Sequence, residues 1–97
     1  MSKKMNRLTA KSVAATQARG YYADGGGHYL QVSEWGSKSW IFRYMLAGKS
    51  TDLGLGPLHT VTLAEARQKA TEYRKLLLDG VDPRAARERA RQQRALD

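Results

Sequence analysis

Two short segments of this chain carry side chains at alternate positions that could recognise the edges of nucleic-acid bases. The segments are His28–Ser33 and Ser39–Leu46. Alternate side chains of an extended strand share one face, and here that face would combine a guanidinium, an amide, hydroxyls and apolar groups. Its members are Tyr29, Gln31, Ser39, Ile41, Arg43 and Met45. Arginine can bind guanine, glutamine adenine and an apolar group a thymine methyl, in a major groove about 12 Å wide that admits a β-ribbon.

The pattern alone leaves the partner of this face open. A solvated sheet face normally carries fewer large apolar groups, so the face predicts a contact surface for either DNA or another protein. The opposite row consists of Trp40, Phe42 and Tyr44, which could stack on single-stranded bases. A buried core is the favoured interpretation of that row, because a helix with an apolar stripe follows in the sequence and can cover it.

Periodicity and turn residues predict the strands and the first helix that position these side chains. Thr9 can cap a short, weak helix, and a short extended piece at Gly20–Ala23 ends in the glycine turn Asp24–Gly27. The two segments above and a third, Lys49–Leu55, are joined by hairpin turns. They predict a three-stranded antiparallel sheet.

A longer helix is predicted after the sheet. Thr62 and Glu65 have the spacing of a capping box, and Gly80 is a typical helix stop. Between them, apolar residues recur at spacings of three and four, which defines a stripe that must cover the sheet. The stripe consists of Leu63, Ala66, Ala70, Tyr73 and Leu77. The predicted fold class is therefore α+β: a three-stranded antiparallel sheet backed by one main C-terminal helix, with a short N-terminal helix.

The chain divides into a domain at residues 1–82 and a basic linker at residues 83–97. The linker has good helix propensity but almost no apolar face, so we expect it to be helical or disordered. Whether its arginines contact DNA or are only solvated stays open.

Composition excludes several classes of function. The chain contains no cysteine, which agrees with a reducing cytoplasm, and its two histidines, His28 and His59, lack the paired spacing of a zinc site. No apolar run approaches the roughly 20 residues of a membrane span. No motif of a catalytic nucleophile, zinc hydrolase or phosphate loop is present. We therefore expect no metal, no cofactor, no membrane association and no catalysis within this chain.

The net charge of +8 lies at the two ends. Met1–Ala23 carries +5 and Pro83–Asp97 carries +3, whereas Asp24–Asp82 has seven basic and seven acidic residues. A basic end is often only a solubilising tail, but the absence of acids from the first segment favours phosphate contact. The predicted phosphate-binding lysines are Lys3, Lys4, Lys11, Lys38 and Lys49.

Four stretches of the sequence resemble the N-terminal domain of phage, prophage and genomic-island integrases of the tyrosine recombinase family. The first, Tyr22–Val32, reads Tyr-Ala-Asp-Gly-Gly-Gly-His-Tyr-Leu-Gln-Val, and the others are Gly36–Tyr44, Leu53–Gly56 and Leu63–Arg67. The resemblance extends roughly from Leu8 to Pro83. The sequence departs from the family where it has His28 for a common leucine, Ala47-Gly48 for a usual Asn-Gly turn, and Met45, Ser50 and Thr51 for frequent arginines.

The resemblance implies a non-catalytic domain whose sheet enters the major groove of double-stranded DNA at arm-type attachment sites, as part of site-specific recombination. The linker would lead to core-binding and catalytic domains absent from this chain, and none of its tyrosines inherits the nucleophile's role. Other integrase subunits, an excisionase and DNA-bending proteins are implied partners, in the bacterial cytoplasm at the nucleoid. The alternative is a protein-interaction module that contacts an excisionase or another integrase subunit.

Overall fold

Three helices and four strands follow one another along residues 5–96, the part of the chain that the computed structural model describes. In chain order they are α1 (Ala10–Ala15), β1 (Gly20–Gly25), β2 (His28–Val32), β3 (Lys38–Leu46), β4 (Lys49–Pro57), α2 (Leu63–Leu78) and α3 (Pro83–Leu96). The α+β class, the antiparallel sheet and the helix that follows it are confirmed.

The sheet has the strand order β1-β2-β3-β4, with every neighbouring pair antiparallel. The prediction of three strands was therefore wrong. The additional strand is β1, which contains the short extended piece predicted at Gly20–Ala23 and pairs along β2, with Tyr21 opposite Gln31. Sequence periodicity underestimated this segment because four residues are too few to show an alternation.

The glycine turn makes the β1–β2 hairpin possible. Gly26 and Gly27 form the turn with φ angles of 61° and 85°, which side chains other than glycine rarely adopt. A Cβ atom on Gly27 would lie 2.5 Å from the carbonyl oxygen of Arg43, and the Arg43 N–H donates to the Gly27 carbonyl at 2.7 Å. The turn is thus in direct contact with the backbone of β3.

The core lies between one face of the sheet and α2. Trp40 is fully buried, and its indole Nε1–H donates to the Val61 carbonyl oxygen at 2.7 Å. The α2 stripe meets this face through Ala66 and Ala70, both fully buried. The sheet contributes Leu30, Val32, Trp40, Phe42, Tyr44, Leu53 and Leu55. The prediction of a buried aromatic row is confirmed, and the alternative of a stacking platform for single-stranded bases is wrong.

The predicted helix ends are confirmed. At the start of α2, Thr62 Oγ1 accepts the Glu65 N–H at 3.1 Å, and Glu65 Oε1 accepts the Thr62 N–H at 3.0 Å. Beyond its end, Gly80 has a φ of 75° and the Val81 N–H donates to the Leu76 carbonyl at 2.9 Å. These caps fix the length of the helix that covers the core.

A buried polar cluster joins the N-terminal segment to β1 and α2. The Asp24 carboxylate accepts two hydrogen bonds from the Arg67 guanidinium, at 2.8 and 2.9 Å, and one from the Leu8 N–H at 2.8 Å. His28 Nδ1 lies 2.9 Å from Asp24 Oδ2, and the buried His28 Nε2 has no hydrogen-bond partner within residues 5–96. The sequence had given no sign of this cluster, because His28 seemed isolated.

The cluster perturbs both of its buried titratable groups. Burial by itself raises the pKa of Asp24, but the hydrogen bonds from Arg67, Leu8 and His28 outweigh it and lower that pKa to about 2. Burial lowers the pKa of His28 below its usual 6.5, against the opposing effect of Asp24. At neutral pH the cluster is therefore an ion pair between Asp24 and Arg67 with a neutral imidazole beside it.

The segment predicted to be helical or disordered is helical as α3. Its start is attached to the core, because Asp82 Oδ1 accepts a 2.6 Å hydrogen bond from the Tyr44 hydroxyl and a 3.1 Å one from the Arg84 N–H. A domain boundary between residues 82 and 83 stays a prediction. Within residues 5–96, no helix has both the length and the apolar character that crossing a membrane requires.

Candidate nucleic-acid interface

The face of the sheet that points away from α2, here called the outer face, carries the base-contacting residues predicted from sequence. Directly paired residues of neighbouring strands point to the same side. The pairs are Tyr21 with Gln31, Tyr29 with Ile41, Gln31 with Ser39, Arg43 with Asp52, and Met45 with Ser50. The structure thus places all six predicted residues on one continuous surface formed by the four strands.

The members of the outer face differ in exposure. Met45 is 63% exposed, whereas Tyr29, Gln31, Ser39 and Arg43 are half-buried. The expectation that Ile41 is exposed was wrong, since only 6% of it is accessible. Ile41 lies on the interior strand β3, directly opposite Tyr29 of β2 and Gly54 of β4. Ile41 therefore packs beneath the exposed residues of the outer face instead of contacting a partner directly.

Arg43 is held at the centre of the outer face by three side chains. Its Nε donates to Asp52 Oδ1 at 2.8 Å and its Nη2 to Asp52 Oδ2 at 3.1 Å. The guanidinium carbon lies 4.9 Å from the centre of the Tyr21 ring and 4.8 Å from that of Tyr29. The hydrogen bond to Asp52 raises the pKa of Arg43, so the guanidinium is charged. Cation–π contacts with two rings and one forked ion pair fix its orientation.

The contact with Asp52 leaves one edge of the Arg43 guanidinium available. A guanidinium has five N–H donors, and the bonds to Asp52 engage one on Nε and one on Nη2. The Nη1–Nη2 edge keeps a parallel pair of donors. Such a pair matches the O6 and N7 acceptors of guanine, or two oxygens of a phosphate. Arg43 is therefore arranged to bind a planar, two-acceptor group while Asp52 holds its other edge.

Sequence reasoning missed two of the residues that hold Arg43. Tyr21 was missed because β1 had not been assigned to the sheet. Asp52 could have been found by counting outward from the turn at Ala47 and Gly48, since a two-residue turn pairs positions 46 with 49 and hence 43 with 52. The turn itself is as expected, because Ala47 adopts a positive φ of 51° and Gly48 one of 78°.

The predicted phosphate-binding lysines are in different situations. Lys11 and Lys49 are exposed. The ammonium of Lys38 instead donates to the carbonyl oxygens of Val13 at 2.8 Å and Ala14 at 3.1 Å, which caps the C-terminal end of α1. Lys38 thus has a structural partner that its position in the sequence did not suggest. Lys3 and Lys4 lie outside the described residues.

Comparison with curated proteins gives relatives that are named integrases. The chain is 48% identical to the integrase of Enterobacteria phage P4 over 71 residues, which cover 71% of this chain. It is 38% identical over 95 residues, or 93% of the chain, to the prophage integrase IntZ of Escherichia coli (strain K12). It is 39% identical over 79 residues, or 78% of the chain, to the integrase of Shigella phage Sf6. The matched part spans only 16%, 23% and 20% of these relatives, respectively.

A family model described as the arm DNA-binding domain matches residues 8–94. The match begins at the segment tied to Asp24, includes the whole sheet and α2, and continues into α3. The family model covers most of the chain, and the relatives that align with most of the chain are named integrases. The resemblance noted in the sequence is therefore confirmed, and this chain belongs to the arm DNA-binding domain family of integrases.

Proposed function

We propose that this chain binds duplex DNA at arm-type attachment sites by placing the outer face of its sheet in the major groove. It would supply the arm-site contacts of a phage-type integrase, while a separate part of a tyrosine recombinase carries out strand exchange. Family membership supports DNA binding. The groove, the specificity and the residues involved are inferred from the chemistry of the outer face.

The observation that carries the proposal is the fixed orientation of Arg43. A long, flexible side chain loses entropy when it binds, and this loss is smaller when its conformation is already set. Asp52, Tyr21 and Tyr29 set it before DNA arrives. The Gln31 amide donates to the Tyr21 hydroxyl at 3.3 Å, so Gln31 is held by one of the same residues that orient Arg43. Met45 lies beyond them as an exposed apolar group suited to a thymine methyl.

The test is fluorescence anisotropy of this chain with a labelled duplex from the attachment region of its own element and with a scrambled duplex. A series of salt concentrations separates phosphate attraction from base recognition. With about five phosphate contacts, the logarithm of the association constant should fall with the logarithm of salt at a slope of about −4.5. We expect tighter binding to the attachment duplex. Equal binding to both would refute sequence-specific recognition.

Substitutions at Arg43 locate the contact. If Arg43 binds a guanine, Arg43→Ala should cost about 1–3 kcal/mol at one base position and little elsewhere. Arg43→Lys is the matched control, because it keeps the charge and removes the forked geometry. A lysine that restores binding to every sequence alike would assign Arg43 to phosphate instead, and an unchanged Arg43→Ala variant would remove it from the interface.

The alternative, a module that contacts an excisionase or another integrase subunit through the outer face, gains no support from the comparisons. Salt dependence distinguishes it from the DNA proposal. Binding to a protein through apolar contacts should change little with salt, whereas DNA binding should weaken steeply. Further integrase subunits and DNA-bending proteins would join this chain in a complete recombination complex, and no feature of the outer face within residues 5–96 selects one of them.

A further inference from the structure

The last helix carries four arginines on one side, here called the arginine row. It consists of Arg84, Arg87, Arg91 and Arg94. Their spacings of three, four and three residues place them within an arc of about 80°, at about 100° per residue of an α-helix. Arg89 points to the opposite side of α3 by the same geometry. The helix thus presents one strongly basic face and one additional arginine that lies away from it.

The first two members of the row contact the edge of the sheet. Arg84 Nη2 donates to the Asp52 carbonyl oxygen at 2.7 Å, and Arg87 Nη1 donates to the Gly54 carbonyl oxygen. Asp52 is also the residue that holds Arg43 through its side chain. The row therefore begins beside the centre of the outer face.

The same two contacts fix the direction of α3. The later arginine bonds to the later residue of β4, so the helix follows β4 in the direction of that strand. Arg91 and Arg94 continue the row on the same side of α3, beyond these two contacts. Between Pro83 and Leu96 there are five arginines and one acid, Glu88. Glu88 contacts Arg91 at 3.8 Å in an exposed position, where an ion pair contributes little. The helix therefore keeps most of its positive charge.

We propose that the arginine row binds phosphate groups of the same duplex whose groove receives the outer face. The inference rests on the proposed function. A sheet that enters a major groove brings its edges toward the two phosphate backbones that border the groove. The row begins at the β4 edge, and arginine forms forked hydrogen bonds with phosphate. Because α3 has almost no apolar surface, charge is the property by which this helix can bind a partner.

The test compares Arg91→Gln with Arg89→Gln in this 97-residue chain. Each variant removes one positive charge from α3, and glutamine retains helix propensity close to that of arginine. Neither side chain has a hydrogen bond to the sheet within residues 5–96. We expect Arg91→Gln to reduce the steepness of the salt dependence by about 0.9, the value for one phosphate contact. Arg89→Gln should leave it unchanged. The double variant Arg91→Gln/Arg94→Gln should reduce the steepness of the salt dependence by about 1.8, the value for two phosphate contacts.

The two proposals fail in different ways. If Arg91→Gln has the salt dependence of the unsubstituted chain, or if Arg89→Gln loses as much as Arg91→Gln, the arginine row is not a phosphate-binding face. In either case the preference of the unsubstituted chain for the attachment duplex, and with it the proposed arm-site recognition, is unaffected. If the unsubstituted chain binds attachment and scrambled duplexes equally, the proposed arm-site recognition fails, while a difference between Arg91→Gln and Arg89→Gln would still support the row.

Discussion

Two aspartate–arginine pairs of nearly identical geometry occupy opposite environments in this domain. Asp24 accepts two hydrogen bonds from the Arg67 guanidinium, at 2.8 and 2.9 Å, and Asp52 accepts two from the Arg43 guanidinium, at 2.8 and 3.1 Å. The two arginines are similarly exposed, 29% for Arg67 and 34% for Arg43, but the carboxylates differ, since the Asp24 side chain is 2% exposed and that of Asp52 is 42% exposed. The same forked contact therefore serves different purposes according to its access to water.

The physical difference lies in what happens when one partner is lost. Removing the carboxylate of a buried pair leaves a charge poorly solvated, and Asp24 additionally holds the Leu8 N–H. An exposed pair exchanges its partner for water at little cost. Arg43 can therefore exchange Asp52 for water or another partner at little cost, whereas Arg67 cannot exchange Asp24 in the same way. Burial makes the first pair structural, and exposure leaves the second available for binding.

The largest effect should come from Asp24→Asn. It removes the charge that balances Arg67, and we expect the free energy of unfolding to fall by about 3 kcal/mol, at the low end for a broken buried pair because Arg67 is partly exposed. Urea denaturation at pH 7 measures the change. The matched control is Asp52→Asn, which should alter stability by no more than about 0.5 kcal/mol. Equal losses in the two variants would contradict the comparison.

The second-largest effect should be a loss of stability of the folded chain in acid, caused by protonation of Asp24. The pKa of Asp24 is lowered from 3.8 to about 2 in the folded chain, so its contribution to stability is complete above pH 3.8 and is lost as the pH falls through about 2. The difference corresponds to about 2 kcal/mol. Urea denaturation across this range measures the loss, and Asp24→Asn should abolish this component. A variant that loses stability as steeply as the unsubstituted chain would assign the acid sensitivity elsewhere.

His28 adds a separate loss at higher pH. Because burial lowers its pKa from 6.5, the unfolded chain takes up the proton first, and stability falls as the pH drops below 6.5. His28→Leu should remove the part of this loss that begins near pH 6.5 and leave a smaller Asp24 component at lower pH, because Arg67 and Leu8 still bond to Asp24. This variant places leucine, which is common in the family, at a site where the imidazole Nε2 has no partner within residues 5–96.

The smallest effect should come from Asp52→Asn on DNA binding. Arg43 keeps its charge but loses the partner that orients it, so we expect preference for the attachment duplex over the scrambled one to fall by about fivefold, or about 1 kcal/mol. Removal of a negative charge should leave binding to the scrambled duplex equal or tighter. Anisotropy with both duplexes measures the ratio. An unchanged ratio would show that Asp52 does not position Arg43 for recognition.

Regular local patterns were sufficient to predict much of the fold. The alternation along β2 and β3, the Thr62 cap and the α2 stripe each lie within one segment, so sequence periodicity could identify them. Contacts between distant segments could not be identified in this way. Lys38 bonds to Val13 across 25 positions, and Arg67 to Asp24 across 43. A charged side chain in a sequence does not show which backbone carbonyl or carboxylate will accept its hydrogen bond.

The sequence predicted which residues lie on the outer face but not how their side chains contact one another. Alternation placed Arg43 on the correct face, since a strand leaves only two choices. It could not show that Ile41, on the same face, is buried, because the exposure of a residue depends on its neighbours. It also missed Tyr21, which reaches Arg43 only through the pairing of β1 with β2. The unpredicted part is therefore the immediate surroundings of the arginine.

The contacts of Arg84 and Arg87 with β4 also bear on aggregation. A strand at the end of a sheet displays unpaired backbone groups, on which another chain can add a strand and begin an insoluble assembly. Here the carbonyl oxygens of Asp52 and Gly54 are occupied by arginine side chains from α3. The charge of the same helix repels a second copy of the chain. Within the described residues, α3 thus occupies part of the β4 edge on which a second chain could otherwise add a strand.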